Sequence, residues 1–298
     1  MRILITGASG FLATELMKQL GGHEIVRTDI AGQGVVHHDL TAGPGLLFDR
    51  PYDAIIHLAA VVSSEAEADL AKGLAVNIDA TRTVLTAAAA QPEPPVVIFA
   101  SSVAVFSAPG NGTIDEGTLP RPLSSYGAQK VIGEYLVRDF TRRGLIAGRS
   151  LRFPTIVVRP GRPNRAASSF ASSIIREPVN GQEAVLPVSP DLRLHLASPS
   201  AAVAAMLHAL DLPAERIGDE TTITLPGLSV PVAGMLEVLE HRTGRATLVR
   251  HEPDEAIERI VSTWPGGIET PRAEELGFAA DPDFEAIFDA SLPLIAPA

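Results

Sequence analysis

Short apolar runs alternate with longer amphipathic stretches through the first half of the chain. The apolar runs are rich in β-branched residues and predict strands at Arg2 to Thr6, Glu24 to Thr28, Val35 to His38, Ala54 to Leu58, Val96 to Ala100 and Leu151 to Val157. Apolar residues at three- and four-residue spacing predict helices at Phe11 to Leu20, Ala68 to Gln91 and Tyr126 to Arg143. This alternation predicts βαβ units with right-handed crossovers around a parallel sheet.

The pattern becomes irregular after Arg159, where Pro, Ser and Arg dominate the sequence up to residue 190. A helix is then predicted to begin at Pro199 with Ser198 as its N-cap, since a proline in the first turn lacks only an N–H that has no helical partner. A strand is predicted in "TTITLPG" (221–227) and a further helix from Pro231 to Thr243. A regular first half is therefore followed by a less regular C-terminal part.

The composition narrows the classes of protein and partner. A chain of 298 residues with 46% hydrophobic content can bury one large core, with or without a smaller lobe. The net charge of −11 disfavours an extended basic surface, so neither nucleic acid nor an anionic membrane is an expected partner. The absence of cysteine excludes disulfides, thiolate metal sites and cysteine nucleophiles. The first apolar run is too short for a signal peptide, and we expect a cytoplasmic protein.

Two glycines directly follow the first predicted strand. In "ILITGASGFLATEL" (3–16), Gly7 and Gly10 occupy the first two positions of a G-x-x-G-x-x-G/A pattern and Ala13 the third. The glycines permit a tight turn and the close approach of a pyrophosphate to the N–H groups that open the next helix. A plain tight turn is the alternative interpretation of this segment.

An aspartate ends the second predicted strand, about twenty residues beyond the glycines. In that position Asp29 can accept hydrogen bonds from an adenosine ribose, and its charge repels a 2′-phosphate, which favours NAD over NADP. Arg27 lies two residues earlier on the same face, where we interpret it as a solvated charge rather than a phosphate ligand. Asp39, after the third strand, either faces the adenine edge or only forms a turn.

A tyrosine and a lysine lie four positions apart in "SSYGAQK" (124–130), in a chain that has three of each. On a helix, Tyr126 and Lys130 share one face one turn apart. A tyrosine that acts as a base near neutral pH needs its pKa lowered by about two to three units, and a nearby ammonium and a positive nicotinamide act in that direction. Lys130 can also hold ribose hydroxyls. The alternative is an exposed helical pair without a function.

Two serines, Ser101 and Ser102, follow the fifth predicted strand at the edge where a parallel sheet opens toward its ligand. A hydroxyl there can polarise a carbonyl or hold an alcohol that is losing hydride. Together with the glycine turn and Asp29, these residues indicate NAD-dependent redox chemistry. We interpret His57 and His195 as structural, because no clustered ligand set accompanies them and NAD hydride chemistry needs no metal.

The combination resembles the extended short-chain dehydrogenase/reductase superfamily, in the branch that includes nucleotide-sugar epimerases and dehydratases. The stretches that carry the resemblance span nearly the whole chain: "ITGASGFLA" (5–13), "HLAA" (57–60), "VNIDAT" (76–81), "SSVAVF" (101–106), "PLSSYGAQK" (122–130) and "RAEELGF" (272–278). The resemblance implies that Tyr126 is the general base, Lys130 its partner and Ser102 the third catalytic residue. Phe106 departs from the usual tyrosine, which removes a hydroxyl that often reaches substrate.

The resemblance also implies the cofactor site and the architecture. The residues that it places around NAD are Gly7, Ser9, Gly10, Phe11, Leu12, Asp29, Asp39, Leu40, Leu58, Ala59, Ala60, Asn77, Tyr126, Lys130 and Pro154. We expect an α/β fold, with a Rossmann-type doubly wound parallel sheet and a smaller C-terminal substrate lobe. Residues 1–160 are assigned to the NAD-binding domain, to which 191–226 return, and residues 161–190 and 227–298 to the lobe.

Within that superfamily the second half of the chain is similar to the D-erythronate dehydrogenase group. The matching stretches are "LRFPTIVVRPGRPNRAASSF" (151–170), "IIREPVNGQEAVLPV" (174–188), "HLASPSAAV" (195–203), "LPGLSV" (225–230) and "WPGG" (264–267). Epimerases usually carry an "NVYGP"-like turn and a "VDD" segment, where this chain has "TIVVRPG" (155–161) and "ASP" (197–199). The resemblance implies NAD-dependent oxidation of a small hydroxy acid, D-erythronate, at C2 to the 2-oxo acid.

A small sugar acid needs a cation for its carboxylate, preferably a planar one that donates two hydrogen bonds. Arg159, Arg162, Arg165 and Arg176 lie in the variable segment. We assign Arg162 and Arg176 to the substrate beside Ser102 and Tyr126. A solvated surface charge is the alternative for each arginine.

Two other functions fit the same fold. A nucleotide-sugar epimerase or dehydratase would use the same three residues and keep its NAD tightly bound between turnovers. A non-catalytic dinucleotide-binding sensor would not need the tyrosine–lysine pair. Superfamily members often dimerise through the helix that bears this pair, so a homodimer is an expectation by analogy.

Overall fold

The computed structural model describes residues 1–108, 112–161 and 166–295. Its strands are β1 (Arg2–Thr6), β2 (Glu24–Asp29), β3 (Val36–His37), β4 (Ala54–His57), β5 (Val96–Ser102), β6 (Thr113–Asp115), β7 (Ala147–Phe153), β8 (Thr155–Ile156), β9 (Ala184–Leu186), β10 (Arg193–Ala197), β11 (Thr222–Thr224), β12 (Leu228–Pro231), β13 (Val249–His251) and β14 (Gly267–Glu269). Its α-helices are α1 (Phe11–Met17), α2 (Ser63–Ala68), α3 (Leu70–Leu74), α4 (Ala80–Ala89), α5 (Ser125–Arg142), α6 (Ser169–Val179), α7 (Pro199–Asp211), α8 (Ala214–Ile217), α9 (Val232–Thr243), α10 (Glu255–Val261), α11 (Pro271–Glu275) and α12 (Phe284–Ile295).

Seven parallel strands form the main sheet, in the order β11-β7-β5-β4-β1-β2-β3. The chain winds outward from β1 in one direction through β2 and β3 and in the other through β4, β5 and β7. The order therefore reverses between β1 and β4, and a crevice opens there at the carboxyl ends of the strands. The predicted Rossmann-type α/β fold is confirmed.

Side chains alternate between the two faces of the sheet, and helices cover both faces. On β1, Ile3 and Ile5 belong to the core that packs against α1 and α7, whereas Leu4 belongs to the core that packs against α4 and α5. Because both faces are covered, β1, β4 and β5 contain continuous apolar runs, at 3–5, 54–56 and 96–100, instead of alternating with polar residues. This double layer holds the carboxyl ends of β1, β4 and β5 in fixed positions around the crevice.

A second sheet lies in the C-terminal part, where β10 pairs antiparallel with β12 and parallel with β8. A separate core surrounds it and takes residues from α6, α9 and α12, including Ile174, Met235 and Ile287. Within residues 191–226, helix α7 packs against the main sheet and strand β11 pairs with β7, whereas β10 lies in the small sheet. Residues 273–278, assigned to the lobe, contribute Ala273, Leu276 and Phe278 to the core of the main sheet. The division into domains stays a prediction.

Two predicted elements are interrupted where they approach the crevice. Within the helix expected over 68–91, α2 ends at Ala68, and α3 is followed by a π-helical turn at Ala75–Asp79 and then by α4. The strand expected over 151–157 is split at Pro154 into β7 and β8, which belong to different sheets. Proline has no N–H for a sheet hydrogen bond, so the chain leaves the main sheet at this residue.

Candidate active site

Two cavities of about 370 Å³ and 350 Å³ adjoin at the crevice, where both are lined by Gly7, Gly10, Leu58 and Ala60. The first, here the Tyr126 cavity, contains Ser102, Tyr126, Lys130 and Pro154, with Phe11 and Leu12. The second, here the Asp29 cavity, contains Asp29, Asp39, Leu40 and Ala59. Residues predicted at opposite ends of a dinucleotide thus line two adjoining spaces.

The turn after β1 comes very close to the chain that follows β4. Gly7 has a φ of 66°, and a Cβ on it would lie 2.7 Å from the backbone N of Ala59 and 2.8 Å from the carbonyl carbon of Leu58. The turn is closed by a hydrogen bond from the Gly10 N–H to the Gly7 carbonyl, at 2.9 Å. The absence of a side chain at Gly7 therefore creates the cradle that a pyrophosphate needs, and these residues fit NAD.

Gly7→Ala should weaken NADH binding by at least about tenfold, because the new methyl group forces the turn away from Ala59. Gly22→Ala is the matched control, since Gly22 has a φ of 82° and nothing within 4 Å of a Cβ. Both variants carry the same backbone strain, on the order of 1 kcal/mol, and only the first carries the clash. Fluorescence titration with NADH distinguishes them, and equal affinities would contradict this view of the turn.

Asp29 is held by the glycine turn itself. Its Oδ2 accepts a hydrogen bond from the Ser9 N–H at 2.9 Å, and its Oδ1 accepts one from the Ile30 N–H at 2.7 Å. Each carboxylate oxygen keeps a lone pair that can accept from a ribose hydroxyl. Asp39 accepts from both the N–H and the hydroxyl of Thr41, at 2.9 and 2.7 Å, and these bonds lower its pKa. Asp39 therefore forms a turn and also lines the Asp29 cavity.

Two residues predicted to touch the cofactor bond to the backbone around the cavities, and their contact with the cofactor stays a prediction. Neither Ser9 nor Asn77 lines either cavity within the part of the chain that the structure describes. The buried Asn77 amide accepts from the Val61 N–H at 3.0 Å and donates to the Val61 carbonyl at 3.1 Å and to Gln129 Oε1 at 2.7 Å. Asn77 thus ties the loop after β4, which lines both cavities, to helix α5.

The start of α5 determines where Tyr126 lies. Ser124 caps the helix by accepting from the Gly127 N–H at 3.2 Å, and the Ser125 N–H donates to Glu67 Oε2 at 2.8 Å. A Cβ on Gly127 would lie 2.2 Å from the Ala104 carbonyl oxygen, so only glycine allows the helix to come this close to the end of β5. Tyr126 is therefore in the first turn, beside Ser102.

Lys130 is buried one turn further along. Its Nζ donates to the Ala100 carbonyl at 2.7 Å and lies 5.5 Å from the centre of the Tyr126 ring. Burial lowers the pKa of Lys130 to about 8, and the Glu134 carboxylate opposes that change. The predicted pair on one helix face is thus present, with the ammonium directed toward the end of β5.

Burial raises the pKa of Tyr126 to about 12 in this structure. A hydrogen bond with Ser102 and the positive charge of Arg159 act in the opposite direction. The expectation of a lowered Tyr126 pKa is wrong for this structure, because desolvation outweighs the favourable charges, of which Arg159 is one. A positive nicotinamide would add to the lowering influences.

An ion pair that the sequence did not predict lies next to Lys130 on α5 and Ser101 on β5. Glu134 accepts from Arg152 Nε at 2.9 Å and Nη2 at 2.7 Å, and from the Ser101 hydroxyl at 2.5 Å. The side chains of Glu134 and Arg152 are only 5% and 10% exposed. Glu134 follows Lys130 by four positions, and Arg152 is the register partner of Ser101 on the neighbouring strand. The four-residue spacing of Lys130 and Glu134 is visible in the sequence. The partner of Glu134 is not, because Arg152 reaches it only when β7 pairs with β5.

The structure bears on which arginine could bind the substrate carboxylate. Arg162 and Arg165 lie outside the described residues. Arg176 lines the Tyr126 cavity, but its guanidinium donates to the Arg159 carbonyl at 2.7 Å, to Ser173 Oγ at 3.2 Å and to Glu177 Oε1 at 2.6 Å. Arg159 lines the same cavity beside Tyr126. Arg159 is therefore a further candidate for the substrate carboxylate, and the assignment of Arg176 stays a prediction.

His57 is buried between two threonines, with ring nitrogens 2.7 Å from Thr6 Oγ1 and 3.0 Å from Thr81 Oγ1. Burial, reinforced by the charge of Lys130, lowers its pKa to about 3, which keeps the ring neutral.

Within the described ranges, no three His, Asp or Glu residues are placed to share a metal ion. Those ranges also hold no helix with the length and apolarity to cross a membrane. The cytoplasmic location stays a prediction.

Comparisons with known proteins identify a family and relatives of this chain. The sequence model of the NAD dependent epimerase/dehydratase family matches residues 3–220. The chain is 43% identical to D-erythronate dehydrogenase of Cupriavidus necator, over 97% of each chain. It is 40% identical to D-erythronate dehydrogenase of Haemophilus influenzae, over 96% of this chain and 97% of that one.

A solved structure extends the comparison to the fold. The crystal structure of the nucleoside-diphosphate-sugar epimerase from Agrobacterium tumefaciens superposes with a TM-score of 0.90 and 39% identity. The match covers 98% of this chain and 94% of that one. The chain is an oxidoreductase that acts on a CH–OH group with NAD, and it belongs to the NAD dependent epimerase/dehydratase family.

Proposed function

We propose that this protein oxidises a small sugar acid, D-erythronate, at C2 to 2-dehydro-D-erythronate, with NAD as the acceptor. The observation that carries the proposal is the placement of Ser102, Tyr126 and Lys130 on one cavity that continues into the glycine-turn site. The two relatives named D-erythronate dehydrogenase support the substrate class, since each aligns over at least 96% of this chain.

Tyr126 acts as the general base and takes the proton of the carbinol hydroxyl. Ser102 Oγ accepts a hydrogen bond from the Ala104 N–H at 3.1 Å, which leaves its proton free to turn from Tyr126 to the substrate oxygen that is becoming a carbonyl. Bound NAD supplies the acceptor for the hydride that leaves the carbinol carbon. Ser102 and Tyr126 therefore hold one oxygen between them while its proton moves to Tyr126.

Lys130 stabilises the phenolate form of Tyr126 when the ammonium is charged. Its pKa of about 8 leaves most of the population charged at neutral pH. The hydrogen bond to the Ala100 carbonyl keeps the ammonium near the end of β5, and the remaining N–H groups can reach ribose hydroxyls. The same side chain then connects the position of the cofactor to that of the base.

We infer that NAD is preferred over NADP because of Asp29. Its carboxylate lines the Asp29 cavity and is fixed there by the N–H groups of Ser9 and Ile30. A 2′-phosphate beside it would meet a like charge, whereas the two ribose hydroxyls can donate to it. Gly7, Gly10 and the chain at 58–60 would hold the pyrophosphate.

The experiment is an assay of four- to six-carbon aldonic acids and of nucleotide sugars, each with NAD and with NADP, followed by NADH or NADPH absorbance. We expect multiple-turnover NADH formation with D-erythronate, at least about tenfold less activity with NADP, and no net NADH with nucleotide sugars. The Agrobacterium structure keeps a nucleotide-sugar epimerase as the second candidate. Conversion of a nucleotide sugar without net NADH would favour it, and no turnover with any substrate would favour the dinucleotide sensor.

A further inference from the structure

The wall of the Tyr126 cavity is positively charged in a chain that is negatively charged overall. Its charged lining residues are Lys130, Arg159 and Arg176, and no Asp or Glu is among the described residues that line it. The whole chain, by contrast, has 35 Asp and Glu against 24 Lys and Arg. A cavity with this excess of cations is suited to an anionic ligand.

Arg159 is held at this wall by its backbone. Its N–H donates to Ser172 Oγ at 3.0 Å, and its carbonyl accepts from Arg176 Nη1 at 2.7 Å. Arg176 is in turn paired with Glu177, at 2.6 Å. Since Ser172, Arg176 and Glu177 all belong to α6, this helix fixes the position from which the Arg159 side chain extends.

The Arg159 guanidinium has no hydrogen-bond acceptor among the residues that the structure describes, although it is partly buried. Burial and the nearby charge of Arg176 both lower its pKa, and Tyr126 acts in the opposite direction. Glu177 is already paired with Arg176 and is not bonded to Arg159. A partly buried cation without an anionic partner is unfavourable, and a bound carboxylate would supply that partner.

We propose that Arg159 binds the carboxylate of the substrate and thereby selects the carbinol adjacent to that carboxylate for oxidation. This inference rests on the proposed function and specifies the substrate as a 2-hydroxy acid. The guanidinium can donate two parallel hydrogen bonds to a carboxylate, which fixes the orientation of the acid. Because Arg159 and Tyr126 interact across one cavity, an acid held by Arg159 presents its C2 hydroxyl to the base.

The test compares D-erythronate with its uncharged amide in the wild type and in Arg159→Gln and Arg159→Lys. We expect Arg159→Gln to raise KM for D-erythronate by about 100-fold and to change KM for the amide by less than about threefold. Arg159→Lys keeps the charge and loses the planar fork, so its KM for the acid should lie between the two. Arg82→Gln, at an exposed arginine on α4, is the control and should leave both KM values unchanged. NADH binding verifies that each variant is folded.

The outcomes separate this inference from the proposed function. If the wild type oxidises D-erythronate and the KM of Arg159→Gln for this acid stays within about threefold of the wild-type value, Arg159 does not bind the carboxylate and the proposed function stands. If Arg159→Gln does not fold, the wild type is compared with Arg159→Lys. Equal kcat/KM values for acid and amide in the wild type then overturn the binding of the carboxylate by Arg159. A strong wild-type preference for the acid that is weaker in Arg159→Lys supports it. If the wild type oxidises no acid, the function fails. Calorimetric titration of D-erythronate into the NADH-loaded wild type and Arg159→Lys then decides whether Arg159 binds a carboxylate.

Discussion

Tyr126→Phe should lower kcat for acid oxidation by about 10³-fold while NADH affinity changes by less than about threefold. The substitution removes one oxygen atom and keeps the ring that packs beside Ser102 and Lys130. Without that oxygen no described side chain in the Tyr126 cavity can take the hydroxyl proton as readily, because Lys130 donates to Ala100 and Ser102 is a weak base. Steady-state kinetics and NADH fluorescence measure the two quantities.

Tyr135→Phe is the matched control, because Tyr135 lies on the same helix with 62% of its surface exposed. It should keep wild-type activity. The pH dependence of kcat/KM gives a second readout. Only the phenolate form of Tyr126 accepts a proton, and burial raises the Tyr126 pKa to about 12. Wild-type kcat/KM should therefore rise with pH in the range below the Lys130 pKa of about 8, where Lys130 is charged. The phenylalanine variant should lose this rise. An active variant with an unchanged pH profile would show that Tyr126 is not the base.

Glu134→Leu should lower the free energy of unfolding by about 3–5 kcal/mol. The reason is that Arg152 would remain buried without its carboxylate partner, and Ser101 would lose its acceptor. Asp139→Asn on the same helix is the control: the Asp139–Arg142 pair is exposed, at 49% and 72%, and its loss should change stability by less than about 1 kcal/mol.

The double variant Glu134→Leu with Arg152→Met tests the cause of that loss. An apolar pair in place of a buried ion pair is often neutral in stability, so the second substitution should recover most of what the first removes. Urea unfolding of all four proteins measures the effect. A Glu134→Leu variant as stable as Asp139→Asn, or a double variant less stable than Glu134→Leu, would contradict this role for the ion pair.

The main sheet and the placement of Tyr126 and Lys130 on one helix face could be predicted because their signals are local. Alternating apolar runs and amphipathic stretches indicated the strand and helix order, and the glycine turn, Asp29, and Tyr126 with Lys130 each follow from spacing within a single element or turn. The same holds for the Ser198 cap, whose hydroxyl accepts from the Ala201 N–H at 3.0 Å.

The interruptions near the crevice could not be predicted, because tertiary contacts cause them. Asn77 bonds to Val61 and Gln129, and the helix around it adopts a π-helical turn. Nothing in "VNIDAT" distinguishes that turn from regular helix. The break at Pro154 is visible in the sequence, but the departure of β8 into a second sheet depends on β10, about forty residues away.

The arginine that faces Tyr126 was ambiguous for a similar reason. Four arginines lie in one irregular segment. Only the folded chain shows that the Arg176 guanidinium donates hydrogen bonds to Glu177 and to the Arg159 carbonyl. The Tyr126 pKa was misjudged because charge spacing is visible in a sequence and burial at the end of a strand is not.

The most direct test of the central claim is the oxidation of D-erythronate that carries deuterium at C2. With wild-type protein and NAD, we expect one deuterium to appear on each reduced cofactor and 2-dehydro-D-erythronate to accumulate in equal amount, measured by mass spectrometry. Retention of the deuterium in the acid while NADH forms, or no net NADH at all, would contradict the proposed oxidation at C2.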